Sequence, residues 1–421
     1  MILFYFPDSV DVINPSYCFS EEEHELGRRR MISEAYPHEV YEHPPYDGML
    51  VSKAIVDTRY TMAQRQRVMR QGIRRFLRLD SEKHKNLKII GDCGAFSYRN
   101  DPEPPYSVTE VIDFYDGLGF DYGISLDHVI LGYEDEDDAE YLIFPDGDKQ
   151  AREAGYALRQ STTLRLANEF LHECKRRSVS FYPMGVAQGW SPKSYANAVE
   201  QLQNMGYDYI ALGGMVPLKA NEIEACLRRI QKVRKENTRF HLLGISKIDD
   251  ISTFSQYGVV SADSTAPLLQ AFKSDCNNYQ LGYHNYIALR VQQTGENHKL
   301  KKMVLSGIVP QDVARRMELE CMRLLRDYGD YKAEAIEVLE ALCQYEALLT
   351  QKKKIKNRAQ YLLTLSERPW EKCECPICKE LGIQVIIFRG AERNRRRGFH
   401  NLYNYYGILK DKRTLNSHHD S

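Results

Sequence analysis

Carboxylates at the ends of apolar runs are the residues of this sequence whose setting most suggests chemistry. The run Leu87–Ile90 leads through Gly91 to Asp92, and Cys93 and Gly94 follow. An apolar run bounded by glycines is typical of a buried strand, and the glycines allow a sharp turn and close approach of a ligand. The carboxyl end of a buried parallel strand is where α/β enzymes hold their catalytic groups. Asp92 alone could equally cap the following turn, so the other strand ends must decide between the two interpretations.

Several other apolar runs also end in polar residues or glycines. Together with the first they give Asp92, Asp127, Gln188, Gly213, Gly214 and Asp263. In a barrel of parallel strands the carboxyl ends share one mouth, so we expect these residues to converge. Carboxylates, an amide and glycine backbone would suit a planar polar ligand with donor edges. A guanine-like base fits, because its N1–H and exocyclic amine can donate to a carboxylate.

A cysteine cluster near the C-terminus predicts a metal site. Cys373, Cys375 and Cys378 lie within six residues of one another, out of ten cysteines in the chain, and His400 follows them. Three thiolates and one imidazole complete a tetrahedral zinc shell, and in a cytosolic protein clustered cysteines favour a metal over disulfides. Because the protein would fill all four positions, we expect a closed, structural zinc site. The alternative is a set of reduced surface cysteines.

Three basic stretches stand out in a chain whose net charge is only −1, namely 65–78, 352–358 and 389–397. Such stretches can neutralise the phosphates of nucleic acid, and the alternative is a set of solvated helix faces. The third stretch lies inside the cysteine-rich segment, where a metal would fix its geometry. Its candidates for nucleic-acid contacts are Arg393, Arg395, Arg396 and Arg397.

The elements that must position these residues alternate between strands and helices. The predicted strands span residues 1–6, 49–56, 87–92, 120–127, 178–187, 207–212, 240–246 and 258–264. The predicted helices between them span residues 61–79, 108–115, 149–177, 192–205, 220–235 and 249–256. This alternation predicts an α/β fold with a parallel sheet, and eight strands are the number that closes a (β/α)8 TIM-type barrel. An open doubly wound sheet is the alternative, but no Gly-x-Gly-x-x-Gly turn follows the first strand.

The chain is long enough for a barrel and additional segments. It has 421 residues, of which 43% are hydrophobic and 27% are charged, which is ordinary for a globular protein. We expect a catalytic barrel over 1–300, a charged helical insertion over 301–365, a zinc-binding subdomain over 366–410 and a disordered tail over 411–421. No apolar run approaches the ~18 residues that a membrane helix needs, and the start lacks the basic region of a signal peptide. We therefore expect a cytoplasmic protein with no membrane partner.

The cysteine motif and the strand ends together resemble the tRNA-guanine transglycosylases. The resemblance covers roughly residues 85–410, and its most specific part is Cys-x-Cys-x-x-Cys ending in His400-Asn401-Leu402-Tyr403. It implies a (β/α)8 barrel with a zinc-binding subdomain. It also implies a glycosyltransferase (pentosyltransferase) activity, in which a guanine base in nucleic acid is exchanged for a 7-deazaguanine.

The resemblance implies catalytic roles for two aspartates. Gly91–Phe96 is similar to the family's Ser-Asp-Ser-Gly-Gly-Phe segment, which makes Asp92 the general acid/base. Cys93 stands where the family has Ser, and we expect it to contribute mainly its backbone N–H to the base. Asp263 matches the family's nucleophile, which forms a covalent bond to the sugar. The presence of Ala95 in place of the second glycine is a departure that nothing in the sequence explains.

The remaining strand ends resemble the family's base-binding residues. Asp127 matches an aspartate that binds the base edge, and Gln188 matches a glutamine on the base within a Gly-x-x-Gln-Gly segment. Gly213 and Gly214 match the family's Gly-Gly loop, and Leu242–Gly244 resembles its Leu-Met-Gly segment.

Departures from the family pattern indicate which nucleic acid and which base are used. The bacterial tRNA enzymes follow the nucleophile with Pro-Thr-Arg, where this chain has Ser264-Thr265-Ala266. They also carry a glutamate suited to a cationic aminomethyl group, at an offset where this chain has Lys219. A lysine would disfavour that cation but not a neutral nitrile. We also expect no C-terminal RNA-binding domain of the archaeal type after the cysteine segment.

These departures resemble the DNA-modifying, DpdA-type branch of the family. The expected partners are double-stranded DNA, 7-cyano-7-deazaguanine and possible companion proteins of a 7-deazaguanine DNA modification system. Two alternatives stay open at this point: an enzyme of the same type acting on tRNA, and a noncatalytic nucleic-acid-binding subunit.

Overall fold

The structure is a computed structural model that describes residues 2–29, 31–134, 146–295, 298–351 and 355–417. The chain forms two units, which are described separately. The first consists of Met1–Val10, Tyr46–Thr265 and Leu409–Ser421, and the second of Asp11–Pro45 and Ala266–Ile408. Residues 352–354 of the second basic stretch and residues 418–421 of the expected disordered tail lie outside the described residues.

The first unit contains a closed barrel of eight parallel strands in chain order. The strands are β1 Leu3–Pro7, β2 Gly48–Ser52, β3 Lys88–Asp92, β4 Tyr122–Ile124, β5 Tyr182–Ala187, β6 Tyr209–Leu212, β7 Arg239–Leu242 and β8 Val259–Asp263. The barrel closes where β1 pairs with β8, with Tyr5 opposite Asp263. Its helices are Lys53–Thr58, Met62–Gln71, Ile73–Phe76, Val108–Leu118, Asp146–Arg177, Pro192–Met205, Ala220–Gln231 and Ile251–Ser255. The predicted α/β fold with a (β/α)8 barrel is confirmed.

The barrel core is built from side chains of alternating strand positions. One buried cluster joins six of the eight strands through Tyr5, Leu50, Ile90, Ile124, Met184, Val186, Tyr209 and Ala211. A filled interior of this kind makes the barrel a packed core rather than a pore. Chemistry is therefore confined to the rims, and the strand ends are free to carry polar groups.

Several predicted elements have different bounds in the structure, three of them for identifiable reasons. The strand predicted over 49–56 ends at Ser52, and a helix begins at Lys53; the short apolar run 54–56 does not by itself distinguish a strand from a helix. The helix predicted over 61–79 is interrupted at Gly72, whose φ of +78° an α-helix cannot accommodate. The strand predicted over 120–127 pairs only over Tyr122–Ile124.

The second unit is mainly helical. Its helices are Pro37–Val40, Ala266–Lys273, His298–Leu305, Gln311–Gly329, Ala335–Thr350, Arg358–Glu367, Pro369–Lys372 and Pro376–Leu381. The last helix of the chain, Gly390–Ser417, belongs to this unit as far as Ile408. Two small sheets pair β9 Tyr279–Leu281 with β10 His284–Tyr286, and β11 Leu289–Arg290 with β12 Ile387–Phe388.

In the described part of the chain, every helix is too short or too polar to cross a membrane. The four-part division of the chain that the sequence suggests, with boundaries at 300, 365 and 410, stays a prediction.

Gly91 provides a test of how the barrel packs on its helices. A Cβ at Gly91 would lie 2.3 Å from Cδ1 of the buried Tyr115 and 3.1 Å from a ring carbon of Phe120. We expect Gly91→Ala to lower the free energy of unfolding by about 1–3 kcal/mol through overpacking. Gly117→Ala is the matched control, because a Cβ there meets open space in the helix Val108–Leu118. It should raise stability by about 0.5–1 kcal/mol. Urea unfolding measures both, and equal effects would contradict this packing.

Candidate active site and metal site

The strand ends surround a cavity of about 380 Å³ in the barrel unit. This volume lies within the range of small-molecule sites in proteins. Six residues expected from the sequence line it: Asp92, Asp127, Gln188, Gly213, Gly214 and Asp263. Apolar walls come from Leu50, Val129, Val216 and Leu243. A polar floor with apolar walls suits a flat ligand with a hydrogen-bonding edge.

Gln188 organises one side of the cavity. Its Nε2 donates to Oδ2 of Asp127 over 2.6 Å, and its Oε1 accepts from the backbone N–H of Ile130 over 3.1 Å. A Cβ at Gly213 would lie 2.3 Å from Nε2 of Gln188, and one at Gly214 would lie 2.2 Å from the carbonyl oxygen of Ile130. Gly214 also has a φ of +76°. The two glycines are therefore needed to seat the glutamine side chain, whatever they contribute to a ligand.

Cys93 adds a second donor to Asp127. Its Sγ donates to Oδ1 of Asp127 over 2.9 Å and accepts from the hydroxyl of Tyr98 over 2.9 Å. The thiol is fully buried and does not line the cavity. Asp127 is therefore held through both oxygens, by a thiol on one side and an amide on the other. Tyr98, which the strand-end pattern misses, sets the orientation of this thiol.

Asp92 has a different environment, in which one side chain of the described residues donates to it. The hydroxyl of Ser52, its register partner on β2, donates to Oδ2 over 2.7 Å. A carboxylate oxygen of Asp92, the sulfur of Cys93 and a carboxylate oxygen of Asp127 all lie within 4.8 Å of one another.

Burial, and then the nearby charge of Asp127, raises the pKa of Asp92 to about 7. Burial raises the pKa of Asp127 to about 6, and its donors from Cys93 and Gln188 oppose that rise. Such a pKa suits a group that gives and takes a proton near neutral pH.

Asp263 closes the opposite side of the cavity. Its Oδ1 accepts from the backbone N–H of Gly244 over 3.1 Å and lies 3.0 Å from Nε2 of His241. The strand-end pattern misses His241, because this histidine lies inside strand β7 rather than at its end. Its position between Phe240 and Leu242 was the available signal, since a polar residue within a buried strand needs a partner.

The cysteine cluster is assembled in the second unit. The Sγ atoms of Cys373, Cys375 and Cys378 lie 3.4, 3.5 and 3.3 Å from Nδ1 of His400. All four residues are buried. Tetrahedral coordination with Zn–S and Zn–N bonds of ordinary length separates sulfur and nitrogen by about 3.5 Å. The donor atoms are thus spaced as they would be around one metal ion.

The surroundings of His400 also fit a metal ligand. Its Nε2 lies 2.7 Å from the carbonyl oxygen of Gln280, which can only accept, so Nε2 carries the proton. The Nδ1 lone pair is then directed toward the three sulfurs, as in metal sites where a second-shell acceptor fixes the tautomer. The ring of Tyr279 stacks on the imidazole with centroids 3.9 Å apart. These residues could hold a metal ion in a closed, four-ligand site.

The phosphate contacts expected of the third basic stretch are wrong for its three buried arginines and stay a prediction for Arg395. Three of its candidates are almost fully buried: Arg393, Arg396 and Arg397. Arg393 pairs with Glu22, and Arg396 with Glu392. Arg397 donates to backbone carbonyl oxygens, including that of Ala271 over 2.7 Å. These guanidinium groups bind internal partners, because an unpaired buried charge would be strongly destabilising. Arg395 is the most exposed of the four and lies 3.7 Å from Glu392.

The elevated pKa of Asp92 makes stability depend on pH. The unfolded carboxyl has its ordinary value of 3.8, against about 7 in the folded protein. Between these values the folded state holds a proton that the unfolded state has released, so the free energy of unfolding falls as pH rises. The variant Asp92→Asn is the reference, because asparagine cannot titrate. We expect the free energy of unfolding of the wild type, relative to that of this variant, to fall from pH 4 to pH 7 and then to level off. Urea unfolding across this range measures it, and a constant difference would contradict the shift.

Comparison with known proteins places the chain in a family. No protein-family model matches it. A DNA-guanine transglycosylase from Salmonella montevideo is 46% identical to it over 424 residues, and the alignment covers 98% of each chain. Identity of this extent spans both the barrel unit and the unit with the cysteine cluster. The chain therefore belongs to the guanine transglycosylase family that its motifs resemble, alongside this DNA-guanine transglycosylase.

Proposed function

We propose that the protein is a DNA-guanine transglycosylase that exchanges guanine in DNA for 7-cyano-7-deazaguanine. The observation that carries this proposal is the convergence of three aspartates on one cavity, in a chain similar throughout its length to a protein of that name. The target guanine must leave the base stack to enter a cavity at the barrel rim. The reaction would take place in the cytoplasm as part of a DNA modification system with companion proteins.

In the proposed first step, Asp263 and Asp92 act as nucleophile and general acid. A carboxylate oxygen of Asp263 forms a bond to C1′ of the deoxyribose, while the bond from C1′ to the base nitrogen breaks. Protonated Asp92 donates its proton to the leaving guanine, which departs neutral. The elevated pKa of Asp92 supports this role, because the group is partly protonated near neutral pH.

In the second step the incoming base reverses these events. Its ring N–H gives its proton to the Asp92 carboxylate, and the nitrogen attacks C1′ as the bond to Asp263 breaks. Two successive displacements retain the configuration at C1′, as in retaining glycosidases with two carboxyl groups. No redox cofactor takes part.

Base recognition is assigned to the cavity-lining residues Asp127, Gln188, Gly213 and Gly214, and to Cys93 through the hydrogen bond by which it holds Asp127. Both oxygens of Asp127 already accept one hydrogen bond each, and each has a further lone pair for N1–H and the exocyclic amine of guanine. Because Gln188 and Cys93 fix the carboxyl group, it would meet the base without reorganisation. Such a preorganised acceptor discriminates strongly against bases that lack these donors.

The apolar wall of the cavity indicates whether the incoming base carries an aminomethyl group or a nitrile. Lys219 does not line the cavity, whereas Val216, two residues after Gly214, does. An aliphatic side chain offers no counter-charge to a cationic aminomethyl group, whose burial would be costly. A neutral nitrile carries no such penalty, which supports 7-cyano-7-deazaguanine as the substrate.

Labelled 7-cyano-7-deazaguanine tests whether the exchange occurs and whether DNA or tRNA is the substrate. With a DNA duplex whose target guanine is mispaired, and therefore easily flipped, the wild type should incorporate label. Asp263→Asn should reduce incorporation at least about 1,000-fold, because the nucleophile is lost. A covalent protein–DNA adduct should be trapped on a denaturing gel for the wild type only.

The other outcomes separate the alternatives. Label entering tRNA and not DNA would establish the tRNA enzyme instead. Nucleic-acid binding with neither adduct nor label on either polymer would establish a noncatalytic binding subunit.

We further propose that the metal held by the cysteine cluster is structural zinc. Purified protein should contain about one zinc ion per chain, as a Cys3His site binds one. Cys375→Ser should lose the zinc and lower the melting temperature, because binding free energy contributes to folding. Cys276→Ser is the matched control, since Cys276 lies in the same unit and outside the cluster. Elemental analysis by mass spectrometry measures the metal, and another metal, or zinc retained by the Cys375 variant, would refute the proposal.

A further inference from the structure

A chain of buried hydrogen bonds runs from Asp263 into the barrel core. Nε2 of His241 lies 3.0 Å from Oδ1 of Asp263, and Nδ1 lies 2.7 Å from Oγ of Ser261. That hydroxyl in turn lies 2.5 Å from the hydroxyl of Tyr209. His241 and Ser261 are fully buried, and neither lines the cavity. These hydrogen bonds therefore reach Asp263 from the buried barrel core and not from the cavity.

The carboxylate at one end limits the directions of these hydrogen bonds. A carboxylate can only accept, so Nε2 of His241 carries a proton, and with a single proton on the ring Nδ1 accepts from Ser261. Tyr209 then donates to Ser261. Burial raises the pKa of Tyr209 to about 12, so this hydroxyl keeps its proton. The three donors all point toward Asp263, and donors aligned in series polarise one another.

The same geometry distinguishes the two oxygens of Asp263. Oδ1 receives the bonds from His241 and from the backbone N–H of Gly244. Within the described residues no hydrogen bond reaches Oδ2. Since Asp263 lines the cavity and is only 5% exposed, Oδ2 is the oxygen available to a ligand.

We propose that His241 is a positioning residue that, with Ser261 and Tyr209, fixes the Asp263 carboxyl group so that Oδ2 attacks the sugar carbon. The inference rests on the proposed function, because it assigns the attacking atom of that reaction. Fixing one oxygen removes rotation of the carboxyl group before attack. The same donors stabilise the carboxylate when it leaves C1′ in the second step. A nucleophile displaced by ~1 Å can lose about 100-fold in rate.

His241→Phe removes the donor while keeping a planar ring. We expect the single-turnover rate of adduct formation with the mispaired duplex to fall about 100-fold. Equilibrium binding of free guanine should stay unchanged, because His241 does not line the cavity. His241→Gln supplies an amide N–H to Asp263 and should recover most of the rate. A merely structural role would produce neither the split between rate and binding nor the recovery.

Ser261→Ala is a milder variant that retains the imidazole. It removes the hydroxyl that keeps Nδ1 an acceptor, so the ring can present an unprotonated Nε2 to the carboxylate. We expect slower adduct formation with unchanged guanine binding, and a smaller loss than in His241→Phe. If His241→Phe does not fold, this variant tests whether His241 positions Asp263.

The outcomes separate this inference from the proposed function. If the wild type forms no adduct, the proposed function fails. If the wild type forms adduct and the foldable variants react at the wild-type rate, His241 only supports the fold and the inference is wrong. Slow reaction in His241→Gln equal to that in His241→Phe would also overturn it, because the donor would then be irrelevant.

Discussion

Closure of eight parallel strands into one barrel is the constraint on which the site depends. Because every strand runs in the same direction, the carboxyl ends of β3, β5, β6 and β8 all open onto one rim. The interior beneath is packed with apolar and tyrosine side chains. Polar groups at this rim therefore meet across a short distance in a poorly solvated space, which no single segment of the chain could create.

Within this space the three aspartates are held by different donors. Asp92 has the hydroxyl of Ser52, Asp127 has a thiol and an amide, and Asp263 faces a histidine and a backbone N–H. Like charges close together cannot all ionise freely, and burial strengthens their repulsion. Under the proposed function, these different donor sets would let one cavity assign a proton carrier, a base anchor and a nucleophile among identical side chains.

The second unit uses its polar residues for its own stability. Glu22 binds both Arg389 and Arg393, and Glu392 binds Arg396, so buried charges occur in compensated groups. The cysteine cluster adds a metal site whose histidine is oriented by a backbone carbonyl. The ion pairs of Glu22 and the cysteine cluster both join segments distant in sequence within a unit made largely of helices. An arginine-rich segment is therefore not by itself a nucleic-acid surface, because guanidinium groups also serve as internal cross-links.

Sequence by itself determined the barrel, the strand ends and the cysteine cluster. These features depend on local periodicity and on spacing, as at Asp92 after a short apolar run and at Cys373, Cys375 and Cys378. Only the tertiary structure decided that Gln188 and Cys93 hold Asp127, that His241 stands behind Asp263, and that Arg393 is buried. Arg393 pairs with Glu22 across 371 positions of sequence. A side chain's type fixes what it can donate or accept, but its partner is fixed by packing between distant segments, which leaves no local pattern.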